Sequence, residues 1–202
     1  MCNSSDSLRV IPSDWLGPLD LAAAFGRQPE TLEVDLGSGK GRFLLARAAR
    51  HPHVSYLGID CVLPRILRVE REARHRQLSN IRLIYVEARY AVSYLLLPRS
   101  VATYYLFFSD PWPKRRQHRH RLFDGRFLDA LDRTLIPGGA VHVATDHLDY
   151  FEGIRKIVGK DSRFESIPAF EPLEDERTDF ELLFMGRGLP IGRSSFRKHP
   201  DA

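Results

Sequence analysis

The chain has 202 residues, 43% of them hydrophobic and 10% aromatic, with a formal net charge of +4; this composition indicates one folded domain and excludes a disordered chain. No apolar run approaches the roughly 18 residues of a membrane helix, and the first ten residues lack the basic start and apolar stretch of a signal peptide. Cys2 and Cys61 are too few and too far apart for a disulfide framework or a zinc site, so we expect a cytoplasmic protein that holds no metal and contacts no membrane.

Short β-type runs alternate with helical patterns along the chain. A leading helix is predicted at residues 13–25. The predicted strands are residues 31–36, 54–59, 81–86, 101–108, 140–144, 163–167 and 180–185. The predicted helices between them are residues 42–50, 64–77, 121–135 and 147–158.

This alternation predicts an α/β fold. Strands that alternate with helices form βαβ units, and hence a doubly wound, mostly parallel seven-stranded sheet of the Rossmann-like type. The last two predicted strands have no helix between them, so we expect them to form an antiparallel hairpin at one edge. We expect a single domain over residues 1–202, with a core at about 31–187. An N-terminal helix or arm at 1–30 and a basic tail at 188–202 complete it.

Acidic residues lie at the carboxyl ends of three predicted strands, the edge at which ligands bind in such sheets. Asp35 precedes the loop of Gly37 and Gly39, Asp60 ends the second strand, and Glu87 follows the third. The glycines allow a tight turn, and Asp60 is placed to accept hydrogen bonds from ribose hydroxyls. Asp35 would repel a pyrophosphate but suits the ammonium and sulfonium groups of S-adenosylmethionine, which we therefore predict as the cofactor. An NAD site is the alternative.

An acid, an aromatic residue and a cationic run follow the fourth predicted strand. Pro111 and Pro113 fix the backbone beside Asp110, and Trp112 offers a flat face on which a flipped base can stack. Residues 114–121 then carry five Lys and Arg and two His, a cluster typical of a polyanion partner. Alternatively, the tryptophan belongs to the core and the run is a solvated surface.

Six stretches of this chain resemble the bacterial tRNA (guanine-N7-)-methyltransferases, a family of class I methyltransferases. They are L-E-V-D-L-G-S-G-K-G at 32–41, Y-L-G-I-D at 56–60, F-F-S-D-P-W-P-K-R-R at 107–116, R-L-F at 121–123, G-G-x-V-H-x-A-T-D at 138–146 and T-D-F-E at 178–181. They follow the family order from about Leu32 to Phe184. The resemblance implies methyl transfer from S-adenosylmethionine to N7 of a tRNA guanosine, at position 46 of the variable loop.

The resemblance also implies roles for individual residues. The methyl-donor site is lined by Asp35, Asp60, Glu87 and Asp110. The guanosine is contacted by Lys114, Asp146, Thr178, Asp179, Phe180 and Glu181. Asp110 or Asp146 can orient the guanine ring and offset its developing charge, and we expect Asp110 to be the catalytic carboxylate. The chain departs from the family at Gln117, where a histidine is usual, and at Leu183, where a lysine is usual.

Guanine N7 carries a lone pair and no hydrogen, so its attack on the sulfonium methyl needs no general base. The protein must instead align nitrogen, carbon and sulfur. Three alternatives stay open: an NAD-linked oxidoreductase, a non-catalytic RNA-binding module on this scaffold, and attack by an exocyclic amine. The sequence does not reveal the oligomeric state.

Overall fold

A computed structural model describes residues 7–112 and 114–200, built around a seven-stranded sheet. The strands are β1 Leu32–Leu36, β2 Ser55–Asp60, β3 Ile81–Tyr85, β4 Val101–Phe107, β5 Leu135–Thr145, β6 Phe164–Ile167 and β7 Gly192–Lys198. The helices are α1 Leu21–Phe25, α2 Arg42–Arg50, α3 Leu63–His75, α4 Ala88–Tyr90, α5 Gly125–Thr134, α6 Leu148–Val158 and α7 Asp179–Gly186. Shorter turns add a π-helix at Ala91–Leu95 and 3-10 helices at Arg115–His120 and Glu174–Glu176.

The strand order confirms the predicted fold class. The order across the sheet is β3-β2-β1-β4-β5-β7-β6, with the first five strands parallel and β7 antiparallel to both β5 and β6. The direction of winding reverses between β1 and β4, so a crevice opens beyond the carboxyl ends of these two strands. The five residues of β1 are all buried, as in a central strand covered on both faces.

The prediction of a last strand at residues 180–185 is wrong, because these residues belong to α7. The Thr178 side chain caps the helix by accepting a hydrogen bond from the Glu181 N–H at 3.0 Å. A short apolar run does not distinguish a strand from a buried helix by periodicity alone. The last strand is instead β7, within the segment predicted as a basic tail. Its Lys198 is only 3% exposed, and its ammonium group lies 3.1 Å from an Asp132 carboxylate oxygen.

Other element boundaries also differ from the predictions. The leading helix is limited to α1, because Gly17 and Pro18 precede it and Asp20 caps it. The third predicted helix begins at Gly125, since the Asp124 side chain accepts from the Phe127 N–H at 2.8 Å. The helical segment at residues 88–95 was not predicted. β5 extends back through residues 137–139, where its register with β4 shifts.

The core lies on both faces of the sheet. The larger cluster packs β1, β4 and β5 against α5 and α6, with Val34, Tyr104 and Phe127 wholly buried. A second cluster packs α2 and α3 against β2 and β3. None of the helices in the described ranges is long and apolar enough to cross a membrane.

Candidate functional site

The β1–α2 loop folds back over the end of β2. The N–H groups of Gly37 and Ser38 both donate to the Ile59 carbonyl, at 2.8 and 2.9 Å. Gly37 and Gly39 have φ values of 82° and 57°, a left-handed region that residues with a side chain rarely adopt. The Ser38 Oγ is buried and has no hydrogen-bond partner among the described residues. The loop thus offers an unused polar group beside a backbone that a ligand can approach closely.

Asp60 shapes this loop as well as lining it. Its Oδ2 accepts from the Gly39 N–H at 2.9 Å, and its Oδ1 accepts from the Val62 N–H at 2.8 Å. The carboxylate is 3% exposed, and the Arg65 guanidinium lies 3.6 Å away. Sequence reasoning predicted the carboxylate but missed its two backbone bonds. Each oxygen retains a second lone pair for a ligand hydroxyl.

Asp35 is a buried carboxylate at the end of β1. It lies opposite Gly58 of β2 and Tyr105 of β4 and is 5% exposed. Burial, together with the nearby negative charge of Asp60, raises the pKa of Asp35 to about 7. A ligand with positive charge at this point would relieve both effects, whereas a pyrophosphate would add a further negative charge. The site residues therefore fit the ammonium and sulfonium groups of S-adenosylmethionine better than a dinucleotide.

Glu87 lies at the same edge but is exposed. The backbone N–H of Val86 donates to the Asp60 carbonyl at 3.1 Å, which keeps the end of β3 beside the end of β2. The Glu87 side chain caps α4 by accepting from the Tyr90 N–H at 2.9 Å. One carboxylate oxygen of Glu87 thus accepts a hydrogen bond from the helix, and the other is open to solvent or a ligand.

The loop after β4 carries Asp110, an exposed carboxylate at the edge of the sheet. Phe108 continues the pairing with β5 through its N–H, which donates to the Ala144 carbonyl at 2.7 Å. Phe108 and Trp112 have positive φ values of 54° and 42°, a strained conformation for residues with large side chains. Such strain is concentrated at functional sites. The half-buried Trp112 ring lies 5.3 Å from the His120 ring, so this tryptophan is not a core residue.

Arg121, predicted as part of the cationic run, fixes this loop. Its Nε donates to the Pro111 carbonyl at 2.8 Å, and its guanidinium lies over the Tyr150 ring at 5.1 Å. The Arg121 guanidinium also forms an ion pair with the Asp149 carboxylate, with an N–O distance of 3.0 Å. Lys114, Arg116 and Arg119 are exposed on or beside the 3-10 helix. Pro113 and the Arg115 side chain lie outside the described residues.

The predicted guanosine-binding segment is the start of α7. Thr178 is its N-cap, Asp179 and Phe180 are exposed, and Glu181 is 2% exposed. Leu183, where the resembling family usually has a lysine, is 43% exposed. The Phe180 ring stacks on Phe184 at 6.1 Å, and Phe184 in turn contacts Phe108 at 5.6 Å. This aromatic chain joins α7 to the loop that carries Asp110.

Arg193 of β7 binds Glu181, a contact that sequence reasoning missed. The Arg193 guanidinium donates to Glu181 Oε1, and its Nε lies 3.3 Å from Glu171. Burial raises the pKa of Glu181, and the nearby cations Arg193 and Arg177 oppose this shift. Glu181 Oε2 is buried without a hydrogen-bond partner in the described part of the chain. It is therefore an unused acceptor beside the predicted guanosine contacts.

Asp146 lies beside this segment. It directly follows Thr145, whose register partner in β7 is Gly192, the neighbour of Arg193. Asp146 is half-buried. Arg193 therefore links the end of β5, which Asp146 follows, to Glu181 at the start of α7.

Charged residues on α2 hold the segment that precedes α7, a feature that sequence reasoning also missed. Arg47 donates to Tyr105 at 3.1 Å and to Glu33 at 3.3 Å, and it lies 3.6 Å from Glu176. Arg50 adds a second contact to Glu176 at 3.2 Å. The available signal was Glu33, a carboxylate in the middle of a strand predicted to be buried, since such a group requires a buried cation.

Within residues 7–112 and 114–200, no cluster of three or more His, Cys, Asp or Glu side chains is arranged to hold a metal ion.

Comparisons with known proteins identify the family to which this chain is similar. A family model described as "Putative methyltransferase" matches residues 29–182. A tRNA (guanine-N(7)-)-methyltransferase of Halorhodospira halophila is 36% identical over 92% of this chain and 82% of its own length. One of Nitrosococcus oceani is 34% identical over 92% of this chain and 79% of its own.

Among solved structures, the 16S rRNA methyltransferase KamB aligns over 91% of this chain and 95% of its own, with 15% identity and a TM-score of 0.65. A Streptococcus mutans protein, SMU.1697c, solved in complex with SAH, aligns over 94% of this chain and 99% of its own, with 13% identity and a TM-score of 0.55. At these identities the likeness establishes the fold alone.

Proposed function

The chain belongs to the family of tRNA (guanine-N(7)-)-methyltransferases, and we propose that it transfers a methyl group from S-adenosylmethionine to N7 of a guanosine in tRNA. The enzyme class and the tRNA substrate follow from the relatives' names and from the extent of the match. The guanosine at position 46 of the variable loop is the proposed target. A tRNA substrate supports the expected cytoplasmic location.

The observation that carries the proposal is the pair of buried carboxylates, Asp35 and Asp60, at the glycine loop. S-adenosylmethionine, when bound, supplies a methyl group on a positively charged sulfur. Asp35 matches that positive charge, and Asp60 offers acceptor lone pairs to a ribose diol while it holds the loop in shape. Glu87 and Asp110 are the proposed further acceptors at this edge. An NAD site is disfavoured because Asp35 would oppose a pyrophosphate.

The proposed substrate site uses groups on the loop after β4, after β5 and at the start of α7. Trp112 offers a ring for stacking, and Asp110 an acceptor for the guanine N1–H and N2–H groups. As N7 becomes bonded to carbon, positive charge develops on the ring, and the Asp110 carboxylate stabilises it. Lys114 is the proposed contact to a phosphate or to O6. Asp146 and the α7 residues Thr178, Asp179, Phe180 and Glu181 are the proposed remaining contacts to the guanosine.

The proposed nucleophile makes a distinctive prediction for a modified substrate. A tRNA that carries 7-deazaguanosine at position 46 lacks only the reacting nitrogen, while N1–H, N2–H and O6 remain for recognition. We expect it to bind about as well as the unmodified tRNA and to accept no methyl group. Radiolabelled transfer from S-adenosylmethionine, followed by nucleoside analysis, measures both substrates in parallel.

The outcomes separate the alternatives. Methylation of the deaza substrate would indicate an exocyclic amine or a ribose hydroxyl as the nucleophile. Tight tRNA binding without turnover on either substrate would favour a non-catalytic RNA-binding module. Tighter binding of NAD than of S-adenosylmethionine in calorimetry would favour an oxidoreductase.

A further inference from the structure

A groove of about 670 Å³ runs beside the proposed cofactor pocket. Its lining comes from α2, α3, the β1–α2 loop and the start of α7. Lys40 belongs to the same loop as Gly37 and Gly39, and Asp179 belongs to the proposed guanosine contacts. The groove therefore includes one residue of the glycine loop and one of the proposed guanosine contacts.

The groove carries an excess of positive charge. Five cationic side chains line it, namely Lys40, Arg42, Arg50, Arg68 and Arg76. Three acidic side chains line it, namely Glu72, Asp175 and Asp179. Two of the cations are neutralised locally, since Arg50 lies 2.7 Å from Asp175 and Arg76 lies 3.0 Å from Glu72.

The other three cations have no carboxylate partner within the described ranges. The Arg42 Nε donates to the Arg177 carbonyl at 2.8 Å, which satisfies a donor but leaves the charge uncompensated. The side chains of Lys40 and Arg68 are exposed and form no hydrogen bond or ion pair with other described residues. Among the described residues that line the groove, only Asp179 opposes these three cations.

We propose that this groove binds the sugar–phosphate backbone of the substrate tRNA next to the target guanosine, an inference that rests on the proposed function. Exposed arginine and lysine side chains without partners bind phosphates, because each contact releases counterions from the nucleic acid. Phosphate contacts of this kind set the position of a nucleic acid without reading its sequence. A small-molecule site would instead be mostly apolar with a few precisely placed polar groups.

Arg68 provides the sharpest test, because it lies on α3, outside the proposed donor and guanosine contacts. The charge reversal Arg68→Glu should weaken tRNA binding about tenfold. The milder Arg68→Gln should reduce the slope of log affinity against log salt by about 0.7–0.9, the value for one phosphate contact. Filter binding of tRNA between about 50 and 200 mM salt measures both quantities. Calorimetry with S-adenosylmethionine should give unchanged affinity for both variants.

Arg71→Glu is the matched control, since Arg71 is an exposed arginine on the same helix that does not line the groove. It should change tRNA affinity less than about twofold. Equal losses from Arg68→Glu and Arg71→Glu, or no loss from Arg68→Glu, would overturn the groove while leaving the proposed function intact. A wild-type chain that neither binds nor methylates tRNA would overturn both.

Discussion

The two carboxylates Asp35 and Asp60 have different surroundings, although each lies near the end of a buried strand. Asp60 accepts two backbone hydrogen bonds, and the Arg65 guanidinium lies 3.6 Å from its carboxylate. Asp35 is buried, and the loss of water and the charge of Asp60 raise its pKa to about 7. Ionisation of Asp35 is therefore costly at the point where a cationic ligand is expected to bind.

The variant Asp35→Asn tests this electrostatic cost. A raised pKa means that the folded state binds a proton that the unfolded state has released, so stability falls as pH rises from about 4 to about 7. At pH 8 the unliganded variant should be more stable than the wild type by up to about 4 kcal/mol, and at pH 4 the two should be nearly equal. Urea unfolding at both pH values measures the difference.

The same variant should bind S-adenosylmethionine more weakly than the wild type at pH 8, because the amide cannot balance the ligand's positive charge. A matched control is Asp129→Asn, an exposed carboxylate on α5. Parallel pH profiles of stability for the wild type and Asp35→Asn would refute the raised pKa.

At the scale of elements, buried ion pairs help to hold the segment before α7. Glu176 is 1% exposed and lies against Arg47 and Arg50 of α2, the helix that begins directly after the glycine loop. The segment leads through Arg177 into Thr178, the N-cap of α7. Helix α2 thus links the cofactor loop to the segment that leads into the proposed guanosine contacts.

The variant Glu176→Gln keeps the shape of the side chain and removes its charge. We expect a loss of about 1–3 kcal/mol in the free energy of unfolding, because Arg47 and Arg50 lose a buried partner. At temperatures where the variant remains folded, kcat/KM for tRNA should fall while donor affinity stays unchanged. Chemical denaturation, steady-state methylation and calorimetry provide the three measurements.

Asp175→Asn is the control, since this neighbour pairs with Arg50 at an exposed position. It should cost less than about 1 kcal/mol. An unfolding energy for Glu176→Gln within the range of this control would show that the charged contacts do not anchor the segment.

For the whole molecule, the sequence predicted the parallel half of the sheet, the antiparallel edge and strand β6, but it misplaced the last strand, β7. Strands β1 to β5 are rich in apolar residues and are bounded by glycine, proline or charged residues, so their positions could be predicted. The run at 180–185 is equally apolar, and only the cap at Thr178 marks it as a helix. The segment of β7 was interpreted as a basic tail because the partners of its cations, Asp132 and Glu181, lie elsewhere in the sequence. For the same reason the ion pairs of Glu176 and Arg193 were not predictable.

The cationic run at 114–121 makes a prediction for the molecule as a tRNA-binding surface. Replacing Arg115, Arg116 and Arg119 together by Gln should flatten the salt dependence of tRNA binding by up to about 0.7–0.9 for each phosphate that the variant no longer binds. Replacing Arg155, Lys156 and Lys160, which removes the same charge from the region of α6, should leave the slope unchanged. An unaltered slope in the first variant would identify the run as a solvated surface.

The position of β7 between β5 and β6 has a consequence for synthesis of the chain. β5 ends at Thr145, but its neighbour in the sheet begins only at Gly192. Translation of the intervening residues takes roughly 2 to 10 s, during which the backbone groups along one side of β5 lack their partner strand. An open strand of this kind readily pairs with other chains. A nascent chain that stalls in this interval, or a message with a stop codon before Gly192, therefore yields a product prone to aggregate and to be bound by chaperones.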